Sequence, residues 1–214
     1  VVVFNWSDVL PLEGAQRDAQ VPEVWRNWLY ANPDLPQVQG LRTHRWTDLM
    51  ASQAALPDVA IQADDMALLP YTSGTTGLSK GCIHTHSTLG HNTRASGTWS
   101  TLSGQTSMLL VVPMFHITGL VVGMLSSVYW GSRMVLLPRW QRDVAAQAIS
   151  RLRITHWANI PTMVIDLLGM PNIEQVDLSS LQYIGGGGAP MPEAVAKRLF
   201  DDYGLSYSEG YGLT

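Results

Sequence analysis

The chain has 214 residues, of which 46% are hydrophobic, 14% charged and 8% aromatic, with a formal net charge of −4. That length and apolar content allow a sizeable buried core, and the absence of any basic track excludes a nucleic-acid partner. The single cysteine, Cys82, excludes an internal disulfide and fits a reducing compartment.

The first third is irregular, broken by Pro11, Pro22, Pro33, Pro36 and Pro57. Val1–Phe4 reads as a short strand, too brief and too soon interrupted by Asn5 and Asp8 to be a signal peptide. Helical character is expected over Val21–Tyr30 and Trp46–Ala55, with Thr43 to Asp48 capping the second. From Met66 onward, strands and helices alternate. Strands are expected at Met66–Tyr71, Cys82–His84, Ser107–Val112, Arg133–Leu137, Ile154–Asn159, Leu181–Gly185 and Ser206–Ser208. Helices are expected at Ser87–Trp99, Ile117–Tyr129, Asp143–Arg151, Thr162–Met170 and Pro192–Asp202, where Pro192 suits a first turn and Glu193 complements the dipole. Short apolar strands separated by such helices predict an α/β fold with a mostly parallel sheet covered on both faces. The organisation expected is an irregular part over 1–65 and an α/β core over 66–214. The longest apolar run, Ile117–Trp130, contains two glycines and two serines and is too short to span a membrane.

Between two of these strands lies Tyr71–Gly81, reading Y-T-S-G-T-T-G-L-S-K-G. Glycines let backbone N–H groups approach an anion, hydroxyls add donors, and Lys80 is a mobile point charge, so the loop suits polyphosphate. Its lysine spacing is not that of a P-loop. Pro113-Met114-Phe115-His116 follows a strand, where ligands of open α/β sheets bind; a lone histidine at a helix start is more often a structural cap than a catalyst. Gly185-Gly186-Gly187-Gly188-Ala189-Pro190 joins a strand to a helix and can lie flat against a planar ring, although glycine runs also serve as linkers. Glu209-Gly210-Tyr211-Gly212-Leu213-Thr214 ends the chain, and Tyr211 offers a ring for stacking. His84 and His86 lack a nearby carboxylate and make a poor metal pair. Trp157 and Asn159 fit either an apolar core or a pocket wall. Cys82 reads as a packed thiol.

These four segments, in this order, resemble the signatures of the adenylate-forming superfamily, which includes acyl-CoA synthetases, luciferases and the adenylation domains of peptide synthetases. Ser79 stands where proline is usual. The resemblance covers about Asp64 to Thr214 and implies part of the large N-terminal domain of an acyl-CoA synthetase of the fatty-acid–CoA ligase type. It implies that Thr72, Ser73, Gly74, Thr75, Thr76, Gly77 and Lys80 hold the β- and γ-phosphates of ATP, and that Thr214 holds the α-phosphate close to Mg²⁺. It further implies that Gly187, Gly188, Ala189, Pro190, Glu209, Gly210, Tyr211 and Gly212 flank adenine. His116, Thr118, Gly185 and Gly186 would line the acyl site, with the ring of Phe115 in its wall, and Arg139 would approach the CoA phosphates. The catalytic assignments are Lys80, His116 and Thr214.

The implied reaction is activation of a carboxylic acid by MgATP to an acyl-adenylate, followed by thioester formation with CoA. Amino-acid-activating relatives carry an aspartate where this chain has His116, so the acid expected here lacks an α-amine; the glycine run and Thr118 favour a fatty acid. Transfer to a carrier protein, or a non-catalytic nucleotide-binding module, are the alternatives. The chain begins without methionine and ends on Thr214, and is expected to be a piece of a longer protein, inactive alone. The Mg²⁺-binding glutamate, the ribose-binding aspartate and the lysine of a mobile C-terminal domain that the resemblance implies would lie beyond it. The expected partners are the carboxylate, ATP and CoA. The expected location is cytoplasmic, compatible with peripheral membrane attachment and with a homodimer.

Overall fold

A computed structural model describes residues 2–5, 22–31, 34–37, 39–55, 57–72 and 77–214. The chain packs as two compact units, Val1–Ala60 and Ile61–Thr214. In the first unit, β1 (Val2–Val3) pairs in parallel with β2 (His44–Arg45). Between them lies α1 (Glu23–Leu29), which buries Trp25 and Leu29, and α2 (Trp46–Ala51) follows directly on β2. The cap of α2 differs from the sequence expectation. Its N-cap is Arg45, in extended conformation, with no side-chain cap hydrogen bond.

The second unit opens with β3 (Met66–Leu68) and β4 (His84–Thr85), an antiparallel pair. Helix α3 (His86–Trp99) starts on Thr85, whose Oγ1 accepts from Thr88 N at 3.2 Å while Thr88 Oγ1 accepts from Thr85 N at 3.0 Å. This reciprocal capping box satisfies orphan donors at both positions. The expected helix Ile117–Tyr129 divides: Thr118–Leu125 is wound as a π-helix and continues as α4 (Ser126–Trp130). Two contacts accompany the wide winding. A Cβ on Gly119 would lie 2.2 Å from Pro113 O, so only glycine lets the helix start this close to the strand exit. The buried Ser126 hydroxyl then donates to Val121 O, five residues back, at 2.8 Å. Long π stretches are rare and concentrate at functional sites.

The main sheet is entirely parallel. It contains β5 (Ser107–Leu110), β6 (Arg133–Leu136), β7 (His156–Asn159), β8 (Tyr183–Gly187) and β9 (Tyr207–Gly210), in the order β6-β5-β7-β8-β9. Their connections carry α5 (Arg142–Leu152), α6 (Pro161–Leu168) and α7 (Glu193–Tyr203). All four residues of β5 and of β7 are buried, as expected for strands covered on both faces.

On one face Leu109, Trp157 and Ile184 pack against Ala145 and Ile149 of α5, Val164 and Leu167 of α6 and Leu199 of α7. Trp157 is fully enclosed and stacks on Trp140, with ring centroids 5.5 Å apart and planes at 7°. Asn159 is equally buried and accepts from Tyr207 Oη at 3.2 Å. Both are therefore core residues. On the opposite face Met108 and Ala158 pack with Leu102 and Trp130. The chain leaves β5 toward β6 on one side and returns to β7 on the other, creating a switch point at the carboxyl ends of β5 and β7, where open α/β sheets bind ligands.

Candidate active site

A cavity of about 370 Å³ opens on this second face. Its floor is formed by Met108, Ala158, Tyr183 and Gly185–Gly187; α3 supplies Leu89, Asn92, Ser96 and Trp99. Ile117, Thr118, Val121 and Val122 form the opposite wall, and Ser208 to Thr214 form the rim. The lining residues of α3 recur at intervals of three and four, one face of the helix. That periodicity was the available signal for residues the motif reading did not single out; Met108 and Tyr183 had none.

The two ends of the Tyr71–Gly81 segment are tied to each other. Tyr71 and Gly81 form an antiparallel bridge, Thr72 N donates to Lys80 O at 2.9 Å, and Lys80 N donates to Thr72 Oγ1 at 3.2 Å. Cys82 N donates to Pro70 O at 2.8 Å, and the Cys82 side chain is half-buried. Gly77, Leu78, Ser79 and Lys80 are exposed, while Ser73, Gly74, Thr75 and Thr76 lie outside the described residues. The hydroxyl of Thr72 already accepts from Lys80 N but keeps its proton for another acceptor.

The Gly185–Gly188 run is sterically required rather than a linker. Gly185, Gly186 and Gly187 lie in β8 between β7 and β9. A Cβ on Gly186 would lie 1.7 Å from Asn159 O, and one on Gly187 would lie 2.3 Å from Gly210 O. Ala189 and Pro190 are exposed on the turn that follows, and Met191 N donates to Glu209 Oε1 at 2.7 Å, fastening that turn to β9. Gly210, Tyr211, Gly212 and Thr214 line the rim, with the Tyr211 ring 89% exposed and available for stacking.

Ile117 and Thr118 line the cavity, whereas His116 stands exposed beside it. His116 Nδ1 accepts from Thr118 N at 3.2 Å, which leaves Nε2 as the ring's donor. Phe115 is 93% exposed and forms no wall here, contrary to the sequence expectation. Arg139 is exposed after β6. His84 contributes to the lining, and its Nε2 is enclosed without a hydrogen-bond partner. Among the described residues no cluster of three or more His, Cys, Asp or Glu could hold a metal, and no helix is long and apolar enough to cross a membrane.

Within the strands of this sheet, two titratable groups are displaced from their ordinary values. Burial pushes the His156 imidazole down, against the opposing effect of its hydrogen bond to Ser100 O. Burial, with the nearby Glu209 and Tyr183, pushes the Tyr207 hydroxyl up to about 12, so it remains a donor to Asn159.

A parallel sheet with a switch-point cavity, a glycine-lined floor and a hydroxyl- and lysine-bearing loop define a nucleotide-handling α/β protein. The chain belongs to the AMP-binding enzyme family, whose profile matches residues 6–214. It is 34% identical over 177 residues to 4-coumarate–CoA ligase 2 of Oryza sativa subsp. japonica, covering 77% of this chain and 30% of that protein. It is 35% identical over 152 residues to a long-chain-fatty-acid–CoA ligase of Bacillus subtilis (strain 168), covering 70% and 27%. Among solved structures, the inhibitor-bound N-terminal domain of FACL13 from Mycobacterium tuberculosis superposes with a TM-score of 0.69 at 27% identity, covering 80% of this chain and 44% of that one. The chain thus spans about a third of the length of the curated relatives it matches.

Proposed function

We propose that the protein carrying this chain activates a carboxylic acid, a fatty acid, with MgATP and passes the acyl group to CoA. The observation that carries the reading is the junction of a mostly apolar cavity with a rim that includes Gly187, Gly210, Tyr211 and Thr214. An acyl chain occupies the cavity while the nucleotide lies across the rim. Thr118, Gly185 and Gly186 line the path of the acyl group, and Gly187 to Pro190 and Glu209 to Gly212 flank adenine, with Tyr211 stacked on it. The residues present fit ATP: an exposed lysine on a hydroxyl-bearing loop suits phosphates.

In this reading Thr72, Ser73, Gly74, Thr75, Thr76, Gly77 and Lys80 hold the β- and γ-phosphates, and Thr214 orients the α-phosphate. A carboxylate oxygen attacks the α-phosphorus, the bond to pyrophosphate breaks, and an acyl-adenylate forms. The CoA sulfur then attacks the acyl carbon and AMP leaves. Mg²⁺ would neutralise charge on the phosphates, and the Thr214 hydroxyl is the oxygen this chain brings to it. His116, exposed beside the cavity with Nδ1 engaged by Thr118 N, donates from Nε2 to the acyl-adenylate, and Arg139 receives the CoA phosphates. Positioning and charge neutralisation supply most of the rate. The isolated 214-residue chain is expected to show negligible ligase activity.

The test is acid-dependent release of pyrophosphate, followed by CoA-dependent thioester formation, by the full-length protein over a panel of acids. Thioester formation with fatty acids supports the reading. Binding of ATP without release of pyrophosphate for any acid overturns it, and an adenylate that CoA does not discharge overturns the acceptor.

A further inference from the structure

The cavity floor is graded along the strands. Because the sheet is parallel and in register, residues on the cavity face align in ranks across it. The rank nearest the carboxyl ends pairs Gly187 with Gly210. The next holds Leu110, Ala158, Gly185 and Ser208; the Leu110 side chain is taken up against Gly123 and does not line the cavity, so small residues make the floor there. The third holds Met108, His156 and Tyr183. Along the cavity lining, small residues therefore end on a rank of three large side chains.

The Tyr183 side chain lies along its own strand, over the middle rank. A Cβ on Gly185 would be 2.6 Å from Tyr183 Oη and 2.8 Å from its Cζ. The phenol is supported from behind by the His156 ring, 5.6 Å away and inclined by 20°. His156 is held in turn by Ser100 O at 2.7 Å and Thr155 Oγ1 at 2.9 Å. Burial favours its neutral form, so Nε2 donates to the Ser100 carbonyl and the Thr155 hydroxyl donates to Nδ1. A ring braced by a second ring with both nitrogens bonded is a rigid plate.

We propose that Tyr183, backed by His156, is the end-stop of the acyl cavity and restricts the protein to acids of medium rather than long chain length. The inference rests on the ligase reading above. At about 3.3 Å per residue, the floor runs about 13 Å from Gly187 to Tyr183 and about 7 Å from Gly187 to Gly185. An extended hydrocarbon advances about 1.25 Å per carbon, given bonds of about 1.5 Å and angles near 111°. A stop at the Gly185 rank thus leaves room for about five or six carbons past Gly187, and removing the ring adds about four or five more. Tyr183 acts on selectivity through shape, and His156 is a positioning residue.

The experiment measures kcat/KM for acid-dependent pyrophosphate release by the full-length protein with straight-chain acids from four to eighteen carbons. The wild type should peak at medium length and fall at least tenfold by sixteen carbons. Tyr183→Ala should move the peak about four carbons longer, while Tyr183→Phe, which keeps the ring, should leave the peak in place. Ala158→Val narrows the middle rank from a neighbouring strand and should move the peak shorter; it decides the matter if Tyr183→Ala fails to fold. An unmoved peak in the variant that folds, a moved peak in Tyr183→Phe, or a wild type equally efficient with long chains overturns the end-stop. Wild-type protein inactive with every acid overturns the ligase reading itself, a result distinct from an active enzyme with an unmoved peak.

Discussion

Gly186→Ala should damage this fold more than any other single-methyl addition in the sheet. The new Cβ would lie 1.7 Å from Asn159 O and 2.9 Å from Tyr207 Oη. Neither atom can simply rotate away. Asn159 O is backbone in β7, and Tyr207 Oη donates to Asn159 Oδ1. Strands β7 and β8 must separate, or β8 must shift. Overpacking of this kind typically costs about 1–3 kcal/mol, and losing the Tyr207–Asn159 hydrogen bond adds about 1 kcal/mol. The sum, about 2–4 kcal/mol, lowers Tm by roughly 5–15 °C for a chain of this size. Gly90→Ala is the matched control: nothing lies within 4 Å of its added Cβ, and it sits inside α3. There alanine should stabilise by about 0.5–1 kcal/mol through helix propensity. Thermal melts followed by circular dichroism read both. Equal Tm values for Gly186→Ala and the wild type would refute the steric reading of β8.

Acidification should destabilise the protein through His156. Its folded-state pKa is lowered by burial, so below about pH 6.5 the unfolded chain binds a proton that the folded chain refuses. The contribution is fully present above that pH and is lost as pH falls toward the folded value; melts at pH 7.5 and 5.5 should show a drop that His156→Gln diminishes. Thr85→Ala removes the side-chain acceptor for Thr88 N at the start of α3 and should cost about 1 kcal/mol, read as a lower urea midpoint at unchanged slope. Lys80→Ala in the full-length protein should lower the rate of pyrophosphate release by about 10²-fold, the scale for removing one stabilising donor from a transition state; a rate within threefold of wild type would remove Lys80 from the phosphate site.

The alternation of short apolar strands with helices was enough to predict an α/β fold with a parallel sheet, because fully buried strands and amphipathic helices carry different periods. Most element ends agree with expectation within two or three residues, as for α3, α5 and α7. The π-helical winding of Thr118–Leu125 was not legible, since it depends on Gly119 meeting Pro113 O and on Ser126 reaching Val121 O. The role of Trp157 was ambiguous because a buried tryptophan serves a core and a pocket equally; the strand's face settled it against Trp140.

The sequence by itself determined the family. A hydroxyl-rich loop with a lysine, a glycine run and a terminal Tyr/Gly segment are contiguous stretches, so their resemblance to the family's signatures is readable without the fold. Only the tertiary structure decided the shape of the cavity. Met108, His156 and Tyr183 are far apart in the chain and become one rank only when β5, β7 and β8 align in parallel register. Depth is a property of that register, and register is set by packing across the sheet.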